Sequence, residues 1–200
     1  MDDRKKLVLA TGNPGKLKEL KDLLAEIGIN TIPQSDLNIP DIEETGLTFV
    51  ENAILKARNA SRRSGLPALA DDSGLEVDFL NGAPGIYSAR FSGIQANDKS
   101  NRDKLLIEMA TAPPEKRQAR YQAIIVYLRH ADDPTPIICQ GTWEGRISLA
   151  ESGDQGFGYD SIFYVPETAC NAAELDPKTK KELSHRGQAT REFLSILNGY

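Results

Sequence analysis

Apolar residues recur along this chain in two rhythms, and the changes between them mark its elements. Lys6-Leu7-Val8-Leu9-Ala10 is a short apolar run that predicts a first strand. Thr11-Gly12-Asn13-Pro14-Gly15-Lys16 interrupts it, and Leu17, Leu20, Leu23, Leu24 and Ile27 then recur at helical spacing up to Gly28. Ile29 to Pro33 predicts a second strand. Thr48 with Glu51 matches a capping box, and Phe49, Val50, Ala53, Ile54, Ala57 and Ala60 share the helical face that follows. Leu66 to Ala70 reads as a buried strand ending in Asp71-Asp72-Ser73-Gly74, where Gly74 marks a turn or a close backbone approach. Leu75 to Phe79 alternates like a separate, half-buried strand. Gly82 to Gly93 is a long Gly- and hydroxyl-rich loop, of a kind that is usually functional or contact-making. Asn97 to Met109 predicts a helix with Leu105, Leu106 and Met109 inward, ended by Pro113-Pro114. Ala119 to Leu128 and Pro136 to Ile147 predict an antiparallel hairpin turning at Asp132-Asp133-Pro134. Gly153 to Gly158 is a second Gly-rich loop leading into a strand from Ser161 to Val165, and Ser184 is a suitable cap for an amphipathic helix from Gln188 to Leu197. Helices alternate with strands early and strands pair later, which predicts an α/β fold with a mixed sheet.

Composition narrows the class. The chain has 200 residues, long enough for a real core and expected to form one domain over 1–200. A net charge of −5 argues against a general nucleic-acid-binding face, which needs a basic surface. The apolar run after Met1-Asp2-Asp3-Arg4-Lys5-Lys6 is too short for a signal-peptide core, and no later run reaches membrane-spanning length, so no membrane partner is expected. Cys139 and Cys170 lack metal-ligand spacing, and two reduced thiols point to a cytoplasmic protein.

Candidate chemistry gathers where elements meet. Asp71 and Asp72 follow an apolar strand, and alternation lets only one of them point to a given side. A solvated turn accommodates them; so does a cation, and Mg²⁺ suits carboxylates joined by substrate phosphates. Thr11 to Lys16 is a strand–turn–helix connection that offers backbone N–H groups and a helix dipole to an anion. It is not a Walker A loop, because Leu17 follows the lysine where Ser or Thr would hold Mg²⁺. Glu43 and Glu44 precede a helix as dipole complements, and become interesting only if they face Asp71-Asp72. Lys56 lies at the edge of an apolar stripe, where snorkelling of its stem is the plain reading. The aromatics of Phe157-Gly158-Tyr159-Asp160 serve either packing or stacking on a planar ligand. His185 and Arg186 in a first helical turn, with Lys178, Lys180 and Lys181 before them, oppose the helix dipole, a conflict that a bound anion removes.

Taken in order, Thr11-Gly-Asn-Pro-Gly-Lys16, Glu44-Thr-Gly-Leu-Thr-Phe49, Glu51-Asn-Ala-Ile-Leu-Lys-Ala57, Ala70-Asp-Asp-Ser-Gly74, Gly82-Ala-Pro-Gly-Ile-Tyr-Ser-Ala-Arg90, Gly156-Phe-Gly-Tyr-Asp160 and Ser184-His-Arg-Gly187 resemble the inosine/xanthosine triphosphate pyrophosphatases. The resemblance runs from Leu7 to Leu197. It implies a homodimeric α/β protein with a long, curved mixed sheet, flanking helices and two lobes around a central nucleotide cleft. It also implies Mg²⁺-dependent hydrolysis of ITP, dITP or XTP to the nucleoside monophosphate and pyrophosphate, which keeps deaminated purines out of DNA and RNA. Matched by motif, Asp72 is the implied proton acceptor and metal ligand, with Glu44 near the same ion. Thr11, Gly12, Asn13, Pro14, Gly15, Lys16 and Lys56 are implied to hold phosphates, and Ser73 to touch substrate. Phe157, Gly158, Tyr159, Asp160, Lys180, His185 and Arg186 are implied to line the base and sugar, with Lys181 an alternative to Lys180.

Overall fold

The computed structural model describes residues 6–25 and 28–197. The segment Met1 to Lys5 and the helical position Ile27, both read above, lie outside the described residues. Seven strands form a sheet in the order β2-β1-β3-β4-β5-β6-β7. The strands are β1 (Lys6–Leu9), β2 (Asn30–Pro33), β3 (Ala68–Val77), β4 (Gln118–Leu128), β5 (Ile137–Ile147), β6 (Phe163–Val165) and β7 (Cys170–Asn171). The helices are α1 (Pro14–Ala25), α2 (Phe49–Ser64), α3 (Asp98–Glu108), α4 (Pro177–Leu183) and α5 (His185–Leu197). β1 runs parallel to both β2 and β3, while β6 is antiparallel to β5 and to β7. Gln122 donates to Glu76 and Arg120 to Asp78, while Thr142 donates to Gln122 and Arg120 to Glu144. These side-chain pairs run in opposite order along neighbouring strands, so β3–β4 and β4–β5 are antiparallel and the sheet is mixed.

The chain divides into two compact units: Met1–Asp72, Ala123–Gln140 and Gln188–Tyr200 form one, and Ser73–Gln122 with Gly141–Gly187 the other. In the first unit, strand alternation sorts the core into two layers. Val8, Ala10, Ala68, Ala70, Ile124 and Val126 pack with Ala53, Ala57 and Ala60 of α2. Leu7, Leu9, Leu69, Ala123 and Ile125 pack instead with Leu20 and Leu24 of α1 and Ala189 and Phe193 of α5. Small alanines on α2 let that helix lie close to the sheet. Thr48 caps α2 by accepting the Glu51 N–H, while the Glu51 carboxylate accepts from the Thr48 hydroxyl and the Leu47 N–H.

The second unit has its own core of Leu75, Val77, Leu105, Met109, Tyr121, Trp143, Ile147, Ile162 and Phe163. Buried Arg117 ties its periphery together by donating to the carbonyls of Met109, Ala112, Ile147 and Ser148. Those bonds satisfy carbonyls left open where α3 and β5 end.

Three local expectations change. β3 does not stop at Asp71-Asp72-Ser73-Gly74 but continues through it, because a strand tolerates interior carboxylates when each is given a cation. A short 3-10 turn occupies Asp160–Ile162, so the strand expected from Ser161 begins at Phe163. The lysines ahead of Ser184 lie on a short helix of their own, α4, opened by Asp176 and Pro177. The last helix starts at His185, directly after Ser184 and with His185 and Arg186 in its first turn as expected, and Ser184 Oγ accepts the Gly187 N–H.

Candidate active site

Alternation along β3 decides where the two adjacent carboxylates go. Asp72 continues the series of Ala68 and Ala70 toward α2, and Asp71 continues that of Leu69 toward α1. Each then meets a lysine from the helix it faces. Lys16 Nζ lies 2.9 Å from Asp71 Oδ2, and Lys56 Nζ lies 2.8 Å from Asp72 Oδ1. Lys56 Nζ is also 3.0 Å from Glu44 Oε1, so a single ammonium bridges the acidic loop and the strand. Its side chain is only 13% exposed, which replaces the snorkelling reading with a held cation between two acids.

Electrostatics at this cluster are finely balanced. Burial holds the Asp72 carboxyl above the usual range, although Lys56 and Lys16 pull it down. For Lys56, burial favours the neutral amine, but Asp72 and Glu44 together outweigh it and raise the pKa. Asp72 Oδ2 is buried and accepts no hydrogen bond. A buried carboxylate oxygen left this way is costly, and a cation or a water proton would satisfy it. Among the described residues, no group of three or more His, Cys, Asp or Glu side chains is placed to hold a metal.

The turn before α1 is built around its own polar groups. Asn13 Oδ1 accepts the Lys16 N–H at 3.0 Å, capping the helix, and Asn13 N–H donates to Thr11 Oγ1. Pro14 and Gly15 open α1. Gly12 is needed for space: a Cβ there would fall 2.5 Å from Asp41 Oδ2, so this carboxylate rests against the turn.

The residues matched to base and sugar belong to the second unit. Asp160 Oδ2 accepts from Lys180 Nζ at 2.8 Å and from the Phe157 N–H at 2.9 Å. Lys180, not Lys181, is the lysine on Asp160. Its ammonium sits 5.2 Å from the Phe157 ring centroid, and the Arg186 guanidinium carbon sits 5.8 Å from it. Arg186 Nη2 donates to Ser73 Oγ at 2.9 Å, and the whole residue is 2% exposed. Gly156, at φ +79°, passes so close to Asp160 Oδ2 that a side chain would collide with it. Gly158 is gripped from both sides: its N–H donates to Asp98 and its carbonyl accepts from Arg102. Tyr159 points inward instead, its hydroxyl donating to the Ser88 carbonyl. His185 stacks on Tyr121 with centroids 4.6 Å apart and planes 6° apart.

Sequence reasoning singled out Asp72 and missed the role of Asp71, whose signal was available: strand alternation with one lysine on each flanking helix. It also missed Tyr121, for which no local signal exists.

A mixed sheet layered by helices, with lysines of two helices set on adjacent carboxylates of an interior strand, defines the class as an α/β protein with a charged cluster on its central strand. The Ham1 family model matches residues 7–196. A dITP/XTP pyrophosphatase of Vibrio cholerae is 56% identical over 193 residues, 96% of each chain. Another from Pectobacterium atrosepticum is 57% identical over 192 residues, 96% of this chain and 98% of its own. Among solved structures, a HAM1 protein from Coxiella burnetii superposes with a TM-score of 0.90 at 48% identity, covering 98% of this chain and 99% of that one. A nucleoside-triphosphatase / dITP/XTP pyrophosphatase from Mycobacterium abscessus gives 0.74 at 38% identity, covering 96% and 98%. The chain belongs to the Ham1 family.

Proposed function

We infer that this protein hydrolyses deaminated purine nucleoside triphosphates (ITP, dITP and XTP) to the nucleoside monophosphate and pyrophosphate, clearing them before they enter DNA and RNA. One observation carries the reading: the curated dITP/XTP pyrophosphatases are 55–57% identical to this chain over at least 96% of its length.

On this reading the triphosphate is taken by Thr11 to Lys16 and by Lys56. Lysines suit it as compact charges that offset what develops on the leaving pyrophosphate. Asp72 accepts the proton of the attacking water, and its buried Oδ2, which accepts no hydrogen bond, supports that role. Burial also makes Asp72 a stronger base than an exposed aspartate. Mg²⁺ is the proposed cofactor, with Asp72 and Glu44 as the oxygen donors, since the ion commonly takes one or two carboxylates together with phosphate oxygens. When bound it withdraws charge from the phosphates. Lys56 already bridges these two acids, which supports their joint preference for a cation.

Base selection is assigned to Phe157, Gly158, Tyr159, Asp160, Lys180, His185, Arg186 and Ser73. Hypoxanthine and xanthine offer a 6-oxo acceptor and an N1–H donor, where adenine offers the reverse. A site of fixed donors such as Arg186 leaves adenine mispaired, a mismatch that can be worth roughly 10⁴-fold. A homodimer acting in the cytoplasm completes the proposal.

Pyrophosphate release from dITP, XTP, GTP and ATP, each with Mg²⁺ and with EDTA, tests it. Fast, metal-dependent release from dITP and XTP alone is expected. Equal rates on all four would remove the base-reading assignment, and no release from any would remove the reaction.

A further inference from the structure

We propose that Tyr121, on β4, is a positioning residue for the base end of the site, setting both the Phe157–Asp160 loop and His185. The proposal rests on the functional reading above for what that end binds, but its geometry stands alone. Tyr121 OH donates to Asp160 Oδ1 at 3.2 Å, while the other oxygen of the same carboxylate holds Lys180 and the Phe157 N–H. The ring of Tyr121 lies flat against His185 on the first turn of α5. One side chain thus orders groups from two segments far apart in sequence.

Tyr121 is itself fixed. It packs at 4.7 Å against Phe163 and at 6.3 Å against Trp143, deep in the second unit's core. Burial and the neighbouring Asp160 carboxylate push its hydroxyl well above the ordinary phenol range, so it remains a donor at neutral pH. Asp160 is also buried, and a buried carboxylate depends on its hydrogen-bond donors to replace the water it has lost. Without the phenol, Oδ1 loses this partner, and the pull on Oδ2 that orients Lys180 and Phe157 slackens. Aromatic rings and hydroxyls divide the labour here: the hydroxyl acts on the loop and the ring on the histidine.

Tyr121→Phe separates the two, since it removes only the oxygen. Two readouts decide the matter. Amide hydrogen exchange followed by NMR should show the Phe157 N–H opening about tenfold faster in Tyr121→Phe, with His185 resonances little moved. Steady-state kinetics on dITP should show KM raised by about tenfold while kcat falls less, and the dITP-to-dATP preference reduced. Tyr121→Leu should add a disturbance at His185. Unchanged Phe157 exchange in Tyr121→Phe overturns the proposal, as does a KM and preference equal to wild type. If wild-type protein fails to cleave dITP, the functional reading falls, while the exchange measurement still decides whether Tyr121 sets the loop.

Discussion

Replacing Lys56 with Met keeps the aliphatic stem and removes one charge from between two acids. The lost ammonium lies 2.8 Å from Asp72 Oδ1 and 3.0 Å from Glu44 Oε1. Deleting one partner of a buried ion pair costs about 3–5 kcal/mol, because the remaining charge stays buried without compensation. Glu44 is 27% exposed, so solvent screens its share, and the lower end is expected, about 3 kcal/mol. For a chain of this size each kcal/mol moves Tm by about 2–4 °C, giving a fall of roughly 6–12 °C.

The cost should depend on pH. Burial already holds the Asp72 pKa above its ordinary value, and loss of Lys56 raises it further. A carboxyl whose folded pKa exceeds its unfolded value binds more protons when folded, so stability falls as pH rises through the folded value. The deficit of Lys56→Met is therefore larger at about pH 8 than in acid, where protonation of Asp72 removes the uncompensated charge. Millimolar Mg²⁺ without nucleotide should restore part of the loss, and should shift wild-type protein less, because there Lys56 already neutralises the pair. Thermal melts followed by circular dichroism, in mildly alkaline buffer and in acid, with and without Mg²⁺, measure all of this. A Tm within about 1 °C of wild type near pH 8, or equal Mg²⁺ shifts in both proteins, would refute the reasoning.

Asp72→Asn should lower turnover of dITP by about 10²–10⁴-fold, the usual worth of a positioned base, with an unchanged circular dichroism spectrum; near-normal rates would remove Asp72 from its role. The two thiols should differ sharply. Burial pushes Cys139 up to about 11, whereas Cys170 is only half-buried, so a thiol reagent near neutral pH should titrate Cys170 quickly and Cys139 only after unfolding. Simultaneous reaction of both in folded protein would contradict the burial of Cys139.

What the sequence determined by itself is the material with a period. Helical spacing located α1, α2 and α3, the capping pair Thr48 and Glu51 placed the start of α2, and long alternating runs located β4 and β5. Ordered motifs likewise pointed to Asp72, Glu44, Lys16 and Lys56 before any partner was visible. Periodicity fails where an element is short or its pattern is broken by charge. α4 has only seven residues, and the carboxylates of β3 looked like the end of a strand. Tertiary structure alone decided that β3 continues, because the lysines that make Asp71 and Asp72 tolerable there come from helices elsewhere in the chain. It alone turned Lys56 from a surface side chain into a bridge between two acids. It alone brought Tyr121 to Asp160 and His185, through contacts spanning 39 residues in the first case. Local patterns report which face a residue occupies; ion pairs and stacked rings depend on what the fold brings to that face.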